Sequence, residues 1–431
     1  MVANEKKMNK ICVLGLGYIG LPTAAMFATH GFEVIGVDIN DDVVNVLRNG
    51  EIHIDEPGLK TLVQGAINSG NLEIFSEPQE SDVFIIAVPT PITDQKIANL
   101  DYVSSAAKSI VPYLRKGNLV ILESTSPPLT TLDLIQPILE ESGLNGAEDF
   151  FLAYSPERVL PGKILHELVH NSRVIGGVNP ESAEKGKILY QRFVEGEIIL
   201  TDTTTAEMVK LMENTYRDIN IAAANEFSRL AANFNVNVWE AIEIANLHPR
   251  VNILKPGPGV GGHCISVDPW FFVEKAPQIS QLINQARITN DSQPEYIISQ
   301  LVKDFSSLEG KTFTVLGITY KPDVDDVRES PALVIIEKIQ ELGGTVKAFD
   351  PYLTRDLPEM AFITDNLSDA LAGSDGVLLL VHHQQFLDLQ PEDLLENLSN
   401  KYIFDTRNVV DKNVWKSEGF VVRILGDGKD D

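Results

Sequence analysis

The chain has 431 residues, 44% hydrophobic and 22% charged, the composition of a globular protein long enough for two or three domains. Its 35 basic against 61 acidic residues give a formal net charge of -26, which argues against nucleic acid or an anionic membrane surface as a general partner. No apolar run reaches the roughly 18 residues of a membrane span, and the two cysteines are too few for a disulfide framework, so a reducing, cytoplasmic setting without membrane insertion is expected.

The start carries lysines before an apolar stretch and faintly mimics a signal peptide, but no small-residue cleavage site follows. The apolar stretch, Lys10 to Leu14, reads as a strand; its Cys12 reads as a small buried residue. GLGYIG (15–20) comes next, then the helix-period run LPTAAMFATH, then a strand EVIGVD ending at Asp38. Strand, glycine turn, helix and an acid about 20 residues on form a dinucleotide fingerprint. Gly15 permits the tight turn, Gly17 lets backbone approach a pyrophosphate, and Gly20 lets helix and strand pack closely; Tyr18 and Ile19 share the turn. Asp38 is placed for a ribose 2′-OH and repels a 2′-phosphate, so NAD is expected over NADP. A glycine turn with no ligand is the plainer reading, and the strand, helix and acid together weigh against it.

Further strands read at 82–88, 118–124 and 149–155, with helical patterns between, which predicts a parallel, doubly wound sheet. AVPTP (87–91) and ESTSPP (123–128) follow two of these strands, where ligands sit in such folds. Thr90, Ser124 and Thr125 there offer hydroxyls to a nicotinamide or its ribose, or else cap the next turn. YSPERVLPG (154–162) brings Glu157 and Arg158 to a site-facing loop; a solvated pair is the plainer alternative.

From Thr203 a long helix-period stretch runs without glycine or proline. Lys210, Asn214 and Arg217 fall at i, i+4 and i+7 on one face, a donor-rich stripe that solvent contact explains equally well. More helix follows in VWEAIEIANL and QLINQARITND, and between them lies GPGVGGHCISVDP (257–269). Glycine-rich backbone lets a substrate come close. Cys264, beside His263 and four residues before Asp268, is placed for reaction rather than packing, since a thiolate is a strong nucleophile once nearby positive charge lowers its pKa. One Cys and one His are too few ligands for zinc, and no metal is expected.

From Lys311 the strand and helix alternation returns in a smaller Rossmann-like unit: KTFTVLG, TVKAFDP, DGVLLLV, KYIFDT and FVVRIL read as strands and SPALVIIEKIQELG as a helix. GITYKPDVDDVRES (317–330) lacks GxGxxG, so it is not a plain second NAD site; Lys321 and Arg328 are candidates for phosphate groups and Asp325 or Asp326 for capping. The tail GDGKDD reads as disordered. The class is α/β, two Rossmann-like doubly wound domains joined by a central helical connector, with expected boundaries at 1–202, 203–308 and 309–431.

In order, GLGYIG, VPTP, ESTSP, SPERVLPG, KLMENTYRDINIA, PGPGVGGHCISVDP and GITYKPDVDDVRES resemble the UDP-glucose/GDP-mannose dehydrogenase family over about residues 9 to 425. That family oxidises the C6 alcohol of a nucleotide sugar to a carboxylate with two NAD+ and one water. The resemblance implies that Cys264 attacks the intermediate aldehyde, that the thiohemiacetal is oxidised to a thioester, and that water releases the acid. It implies that Lys210 and Asn214 stabilise the C6 oxyanion, with Lys210 also moving protons, and that Glu157 and Asp268 activate or order water. Arg158, Val159, Arg217, His248, Arg250 and Gly261, with Lys210 and Asn214, match sugar- and phosphate-contacting positions. Tyr320, Lys321 and Arg407 resemble contacts to the UDP end, and Arg328 a residue that reaches NAD. A homo-oligomer through the central helices is implied, Arg250 entering the neighbour's site. The three stretches then read as NAD-binding, dimerisation with the catalytic loop, and UDP-sugar-binding domains.

GGHC stands where the UDP-glucose and GDP-mannose enzymes have GGSC, and Val267 stands where they have lysine, so no role for that lysine transfers. With HPRVNI, RESPA and the pair Trp270 and Phe271, this resembles the branch acting on UDP-N-acetylhexosamines. UDP-N-acetyl-D-mannosamine is the expected substrate, followed by UDP-N-acetyl-D-glucosamine and then UDP-glucose. The rivals are a two-electron dehydrogenase, which has no need of Cys264, and a non-catalytic nucleotide-sugar binder.

Overall fold

Burial in the first strand alternates between two sides. In the computed structural model, which describes residues 8–353, 360–395 and 397–429, Ile11 and Val13 of β1 (Lys10–Leu14) enter one apolar cluster, Cys12 and Leu14 another. Successive strand side chains face opposite ways, so a strand apolar throughout is covered on both faces. The lysine-bearing start through residue 7 lies outside the described residues.

The other strands of this sheet are β2 (Glu33–Val37), β3 (Leu72–Phe75), β4 (Val83–Ile86), β5 (Leu119–Leu122), β6 (Phe151–Tyr154), β7 (Arg173–Gly177) and β8 (Ile198–Asp202). Their order is β3-β2-β1-β4-β5-β6-β7-β8. The first six follow the dinucleotide-binding order, whose switch point lies between β1 and β4. The expected all-parallel sheet needs one correction. β7 runs antiparallel to β6, with Tyr154 opposite Gly176, and β8 is parallel to β7, so the last two strands are reversed. The sequence reading also passes over β3, β7 and β8.

All five strands expected in the second half are present: β9 (Thr312–Leu316), β10 (Thr345–Phe349), β11 (Gly376–Leu379), β12 (Tyr402–Asp405) and β13 (Val421–Ile424). They form a parallel sheet ordered β10-β9-β11-β12-β13, the other common doubly wound order, with its switch point between β9 and β11. The helices Val238–Ala245, Gln281–Asp291 and Pro331–Glu341 match their expected stretches, and the long helix spans Thr203–Asn233.

The chain divides into two compact units, Met1–Glu213 with Trp270–Ala276, and Asn214–Pro269 with Pro277–Asp431. The boundary falls inside the long helix. The reading of the tail as disordered is corrected for residues 426–429. Lys412 Nζ pairs with the Asp427 carboxylate at 2.7 Å, and the Gly428 N–H donates to the Val236 carbonyl at 3.0 Å, so the acidic tail is held by a cation and a backbone bond. Residues 430 and 431 lie outside the described residues.

The two sheets end their first strands alike. Gly15 follows β1 at φ +88 and Gly317 follows β9 at φ +83, both in the left-handed region that glycine tolerates. The Gly15 N–H donates to Val37 O at 2.8 Å, and the Gly317 N–H to Phe349 O at 3.0 Å. An aspartate closes each turn: Asp38 Oδ2 accepts from the Leu16 N–H at 2.9 Å, and Asp350 Oδ2 from the Ile318 N–H at 2.7 Å.

Candidate active site

In the first unit the glycine turn fits a dinucleotide. A Cβ on Gly15 would meet the Ala87 carbonyl oxygen at 2.6 Å, and one on Gly20 would overlap the Gly15 carbonyl, so both positions need glycine for packing at the β1/β4 switch point. Gly17 has open space around its Cβ direction and is exposed, which leaves room for a pyrophosphate against backbone. The helix Gly20–Thr29 begins there, which sets the positive end of its dipole at the turn. Tyr18 and Ile19 are half-buried beside it. Asp38 accepts from Leu16 and Asn40 N–H groups, each at 2.9 Å, and stays half-exposed, as a ribose acceptor must.

The hydroxyl residues after β4 and β5 hold their two turns together. Thr90 Oγ1 donates to the Thr125 carbonyl at 2.6 Å, and Ser124 Oγ to the Val88 carbonyl at 2.7 Å. The Thr90 and Ser124 hydroxyls thus spend their donor on the turns and keep their acceptor lone pairs, and the half-buried Thr125 is fixed at the ends of these strands.

Glu157 and Arg158 are not a solvated pair. Arg158 turns to Glu213 at 2.5 Å and to the Ser172 carbonyl at 2.9 Å, while Glu157 turns to Arg173. Val159 packs against the core beneath them. On the long helix the stripe splits. Lys210 and Asn214, one turn apart, are 9% and 7% exposed, whereas Arg217 is exposed.

The second unit builds the cysteine loop. Its first glycine is anchored from below: the Gly257 N–H donates to Asn225 Oδ1 at 2.9 Å, Asn225 donates to Asn290 at 2.9 Å, and Asn290 donates to Asp218 at 2.8 Å. Arg287 closes this buried chain on Asp218 at 2.5 Å. Above, the loop lies on the segment after β9. The Gly262 N–H donates to the Arg328 carbonyl at 3.0 Å, and a Cβ on Gly262 would sit 2.7 Å from the Tyr320 ring. A Cβ on Gly261 would sit 2.5 Å from the Glu329 carbonyl oxygen. The glycines therefore let the loop dock closely enough to bring Cys264 into the same neighbourhood as Tyr320 and Arg328. Ser266 Oγ donates to the Gly262 carbonyl, and the Asp268 N–H to the Cys264 carbonyl at 2.8 Å, which turns the loop into the helix Asp268–Lys275. The buried Asp268 carboxylate accepts from Asn214 Nδ2 at 2.6 Å, so these two candidates meet directly.

The two cysteines differ as expected. Cys12 is fully buried in β1, and burial pushes its pKa up to about 12, whereas Cys264 is part-exposed on the loop. Brief alkylation of the native protein is therefore expected to label Cys264 and spare Cys12. Peptide mapping checks this; label on Cys12 at a comparable rate would refute it.

At the start of the same loop Arg407 lies against Gly257, where a side chain would collide with its Nη1. Burial pulls the Arg407 pKa down to about 10, Asp405 opposing. His382 is pulled down to about 4, first by burial and then by Arg407 and Lys255. Two cations crowd a neutral imidazole, an arrangement that a phosphate group relieves. Lys255 and His382 were missed from sequence; the lysine just before the glycine loop was the available signal. Lys321 is half-buried, its carbonyl accepting from Thr319 at 2.9 Å. Arg328 pairs with Asp326 at 2.6 Å, so Asp326 steadies the arginine rather than serving only as a cap. His248 and Arg250 are exposed on the turn after Val238–Ala245, and their bond is local, the Arg250 N–H donating to His248 Nδ1 at 3.3 Å. Among the described residues no group of three or more His, Cys, Asp or Glu is placed to hold a metal, and no helix is long and apolar enough to cross a membrane.

Residues 9–194, 204–292 and 314–412 match in turn the NAD binding, central and UDP binding domains of the UDP-glucose/GDP-mannose dehydrogenase family. A UDP-N-acetyl-D-mannosamine dehydrogenase of Methanococcus maripaludis (strain C7) is 50% identical over 430 residues, covering 98% of each chain. An NDP-N-acetyl-D-galactosaminuronic acid dehydrogenase of Ralstonia nicotianae is 46% identical over 409 residues, covering 93% of this chain and 96% of that one. The solved UDP-D-ManNAc dehydrogenase of Pyrococcus horikoshii is similar at a TM-score of 0.90 and 40% identity, covering 98% of this chain and 100% of that one.

Proposed function

Because the chain belongs to the UDP-glucose/GDP-mannose dehydrogenase family and carries its NAD and UDP binding domains, we propose that it oxidises UDP-N-acetyl-D-mannosamine at C6 to UDP-N-acetyl-D-mannosaminuronate. The observation that supports a four-electron rather than a two-electron course is the part-exposed Cys264 on a loop that glycines let dock beside Tyr320 and Arg328.

Bound NAD+ supplies the hydride acceptor for each of the two oxidations. Gly15, Gly17, Gly20 and Asp38 hold it, with Tyr18, Ile19, Thr90, Thr125 and Arg328 as further contacts. Cys264 Sγ bonds to C6 of the aldehyde, and the carbonyl oxygen takes a proton to give a thiohemiacetal. Loss of hydride from C6 and of the hydroxyl proton leaves a thioester. A water oxygen then bonds to C6, the C–S bond breaks, and the thiolate returns to Cys264. Lys210 and Asn214 donate to the C6 oxygen as negative charge develops, Lys210 also carrying protons, and Asp268 orients the Asn214 amide. Glu157 orders the hydrolytic water. Arg158, Val159, Arg217, His248, Arg250 and Gly261 line the sugar and phosphates, and Tyr320, Lys321 and Arg407 take the UDP end, with Lys255 and His382 added by their place beside Arg407.

The same reading makes the enzyme a cytoplasmic homo-oligomer with three domains, 1–202, 203–308 and 309–431. Exposed apolar side chains on the central helices and just past their ends support the assembly: Tyr216 and Phe234 at 68%, Leu247 at 82%. Exposed Arg250 beside them suits a role in a neighbouring copy's site.

A panel of purified UDP-hexoses tests the substrate, with NADH counted per uronate formed. Two NADH per product and fastest turnover of the N-acetylmanno epimer are expected. UDP-N-acetyl-D-glucosamine is the runner-up, and the galacto epimer belongs in the panel because of the Ralstonia relative. A site that hydrogen-bonds the N-acetyl group rejects UDP-glucose strongly, since its partners are left unpaired. Faster turnover of the gluco epimer overturns the choice of sugar, and one NADH per product overturns the cysteine course.

A further inference from the structure

The reversal of β7 has a chemical result. In a parallel strand the first residue would lie at the far edge of the sheet from the loop that leaves β6. Here β7 runs the other way, and the register that sets Tyr154 opposite Gly176, carried on three residues, brings Arg173 opposite Glu157. The side chains complete the approach. Arg173 Nη2 donates to Glu157 Oε2, and the Arg158 N–H donates to Glu157 Oε1 at 2.8 Å, so each carboxylate oxygen has one fixed partner and keeps lone-pair capacity for water.

Arg173 is itself held from three sides. Its Nη2 also reaches Glu123 Oε1 at 3.4 Å, its guanidinium lies 4.0 Å from the centre of the Tyr190 ring, and the Tyr190 hydroxyl donates to Glu123 Oε1. Thr23, in the helix that opens at the glycine turn, donates to Glu123 Oε2 at 3.5 Å. Glu123 is fully buried, and burial pushes its pKa up to about 7 against the pull of Arg173. Of the two acids Glu157 makes the shorter contact with Nη2, so the arginine's charge is directed to Glu157. Arg173 Nη1 is buried with no acceptor among the described residues, so Nη2 makes the arginine's ion pairs.

We propose that Arg173, braced by Glu123 and Tyr190, is a positioning residue that fixes the Glu157 carboxylate for the water that cleaves the Cys264 thioester. The proposal rests on the reading of Glu157 given above. In that step the water oxygen bonds to the thioester carbon, the C–S bond breaks, the sulfur leaves as the Cys264 thiolate, and the water's protons pass to solvent or to basic groups of the site. Loss of the orientation slows this step and leaves the acyl group on sulfur.

The test uses the full-length enzyme and three variants: Glu157→Gln, Arg173→Lys and the double variant. Arg173→Lys keeps a cation in place of an empty buried site, and thermal unfolding verifies that it folds. It is expected to lower kcat by about tenfold or more with KM for both substrates changed by less than about threefold. Intact-protein mass is expected to show a sugar-nucleotide adduct on Cys264 in the steady state, which a general loss of packing does not produce. In the Glu157→Gln background the lysine change is expected to add little, because both act on one group. Should Glu157→Gln leave acid release unchanged, the reading of Glu157 fails and takes the proposal with it. A slow Glu157→Gln beside an unimpaired Arg173→Lys overturns the proposal alone, as do additive losses without an adduct. If Arg173→Lys does not fold, Glu123→Gln, which keeps the shape of the brace and removes its charge, is read in its place: a smaller fall in kcat with the Cys264 adduct present is expected, and unchanged kcat, or an adduct-free loss additive with Glu157→Gln, overturns the proposal.

Discussion

Cys264→Ala is expected to abolish acid formation, by at least about 10³-fold, while UDP-sugar and NAD still bind. The loop places only the sulfur in question. Its backbone is set by Gly257 on Asn225, by Gly262 on Arg328 and by the Asp268 N–H on the Cys264 carbonyl, none of which involves the side chain. The fold of the loop should therefore survive, and the loss should fall on chemistry. Cys264→Ser separates the stages further, since a hydroxyl is a poorer nucleophile and leaving group and should stall before the second oxidation. Acid production measured by mass analysis is decisive; substantial acid from the alanine variant would remove the covalent step.

The second large effect concerns the cofactor. NAD is expected over NADP by about 10²–10³-fold in kcat/KM, equivalent to about 3–4 kcal/mol for setting a carboxylate against a 2′-phosphate. Asp38 cannot turn aside to admit the phosphate, because both its oxygens are tied to backbone, to Leu16 and Asn40. Asp38→Ala should lower activity with NAD and narrow the ratio without giving good NADP turnover, since the Leu16 N–H also loses its acceptor. Steady-state kinetics with both cofactors checks this, and comparable kcat/KM in the unmodified enzyme would refute it.

Much of this site was legible because its signals are local. The glycine turn, its acid, and the glycine loop before Cys264 are each contiguous, and each was required to be so by backbone geometry. The five strands of the second sheet were readable for the same reason, as short apolar runs between turns. Three strands of the first sheet were not. β8 is largely exposed, β3 has four residues, and β7 is an arginine and two glycines in five positions, a composition that reads as loop. Its arginine is buried only because two acids distant in sequence, Glu123 and Glu157, meet it. Helix period likewise put Lys210, Asn214 and Arg217 on one face without saying where the cover ends; burial keeps the first two and releases the third. Arg407, Lys255 and His382 come together from three segments, and no spacing encodes that.

The twin turns carry a consequence for ligand traffic. Asp38 spends its bonds on two N–H groups and still faces outward, an open hand. Asp350 grips the Ile318, Thr319 and Tyr352 N–H groups, and its remaining capacity is stopped by His383, which lies on it at 3.0 Å and stacks under Tyr352. The same hinge has been built twice, and one copy is plugged with imidazole. With its carboxylate taken by three N–H groups and an imidazole, the plugged copy lacks the free ribose acceptor that Asp38 keeps, so the fold repeats the turn without repeating the adenosine-ribose contact.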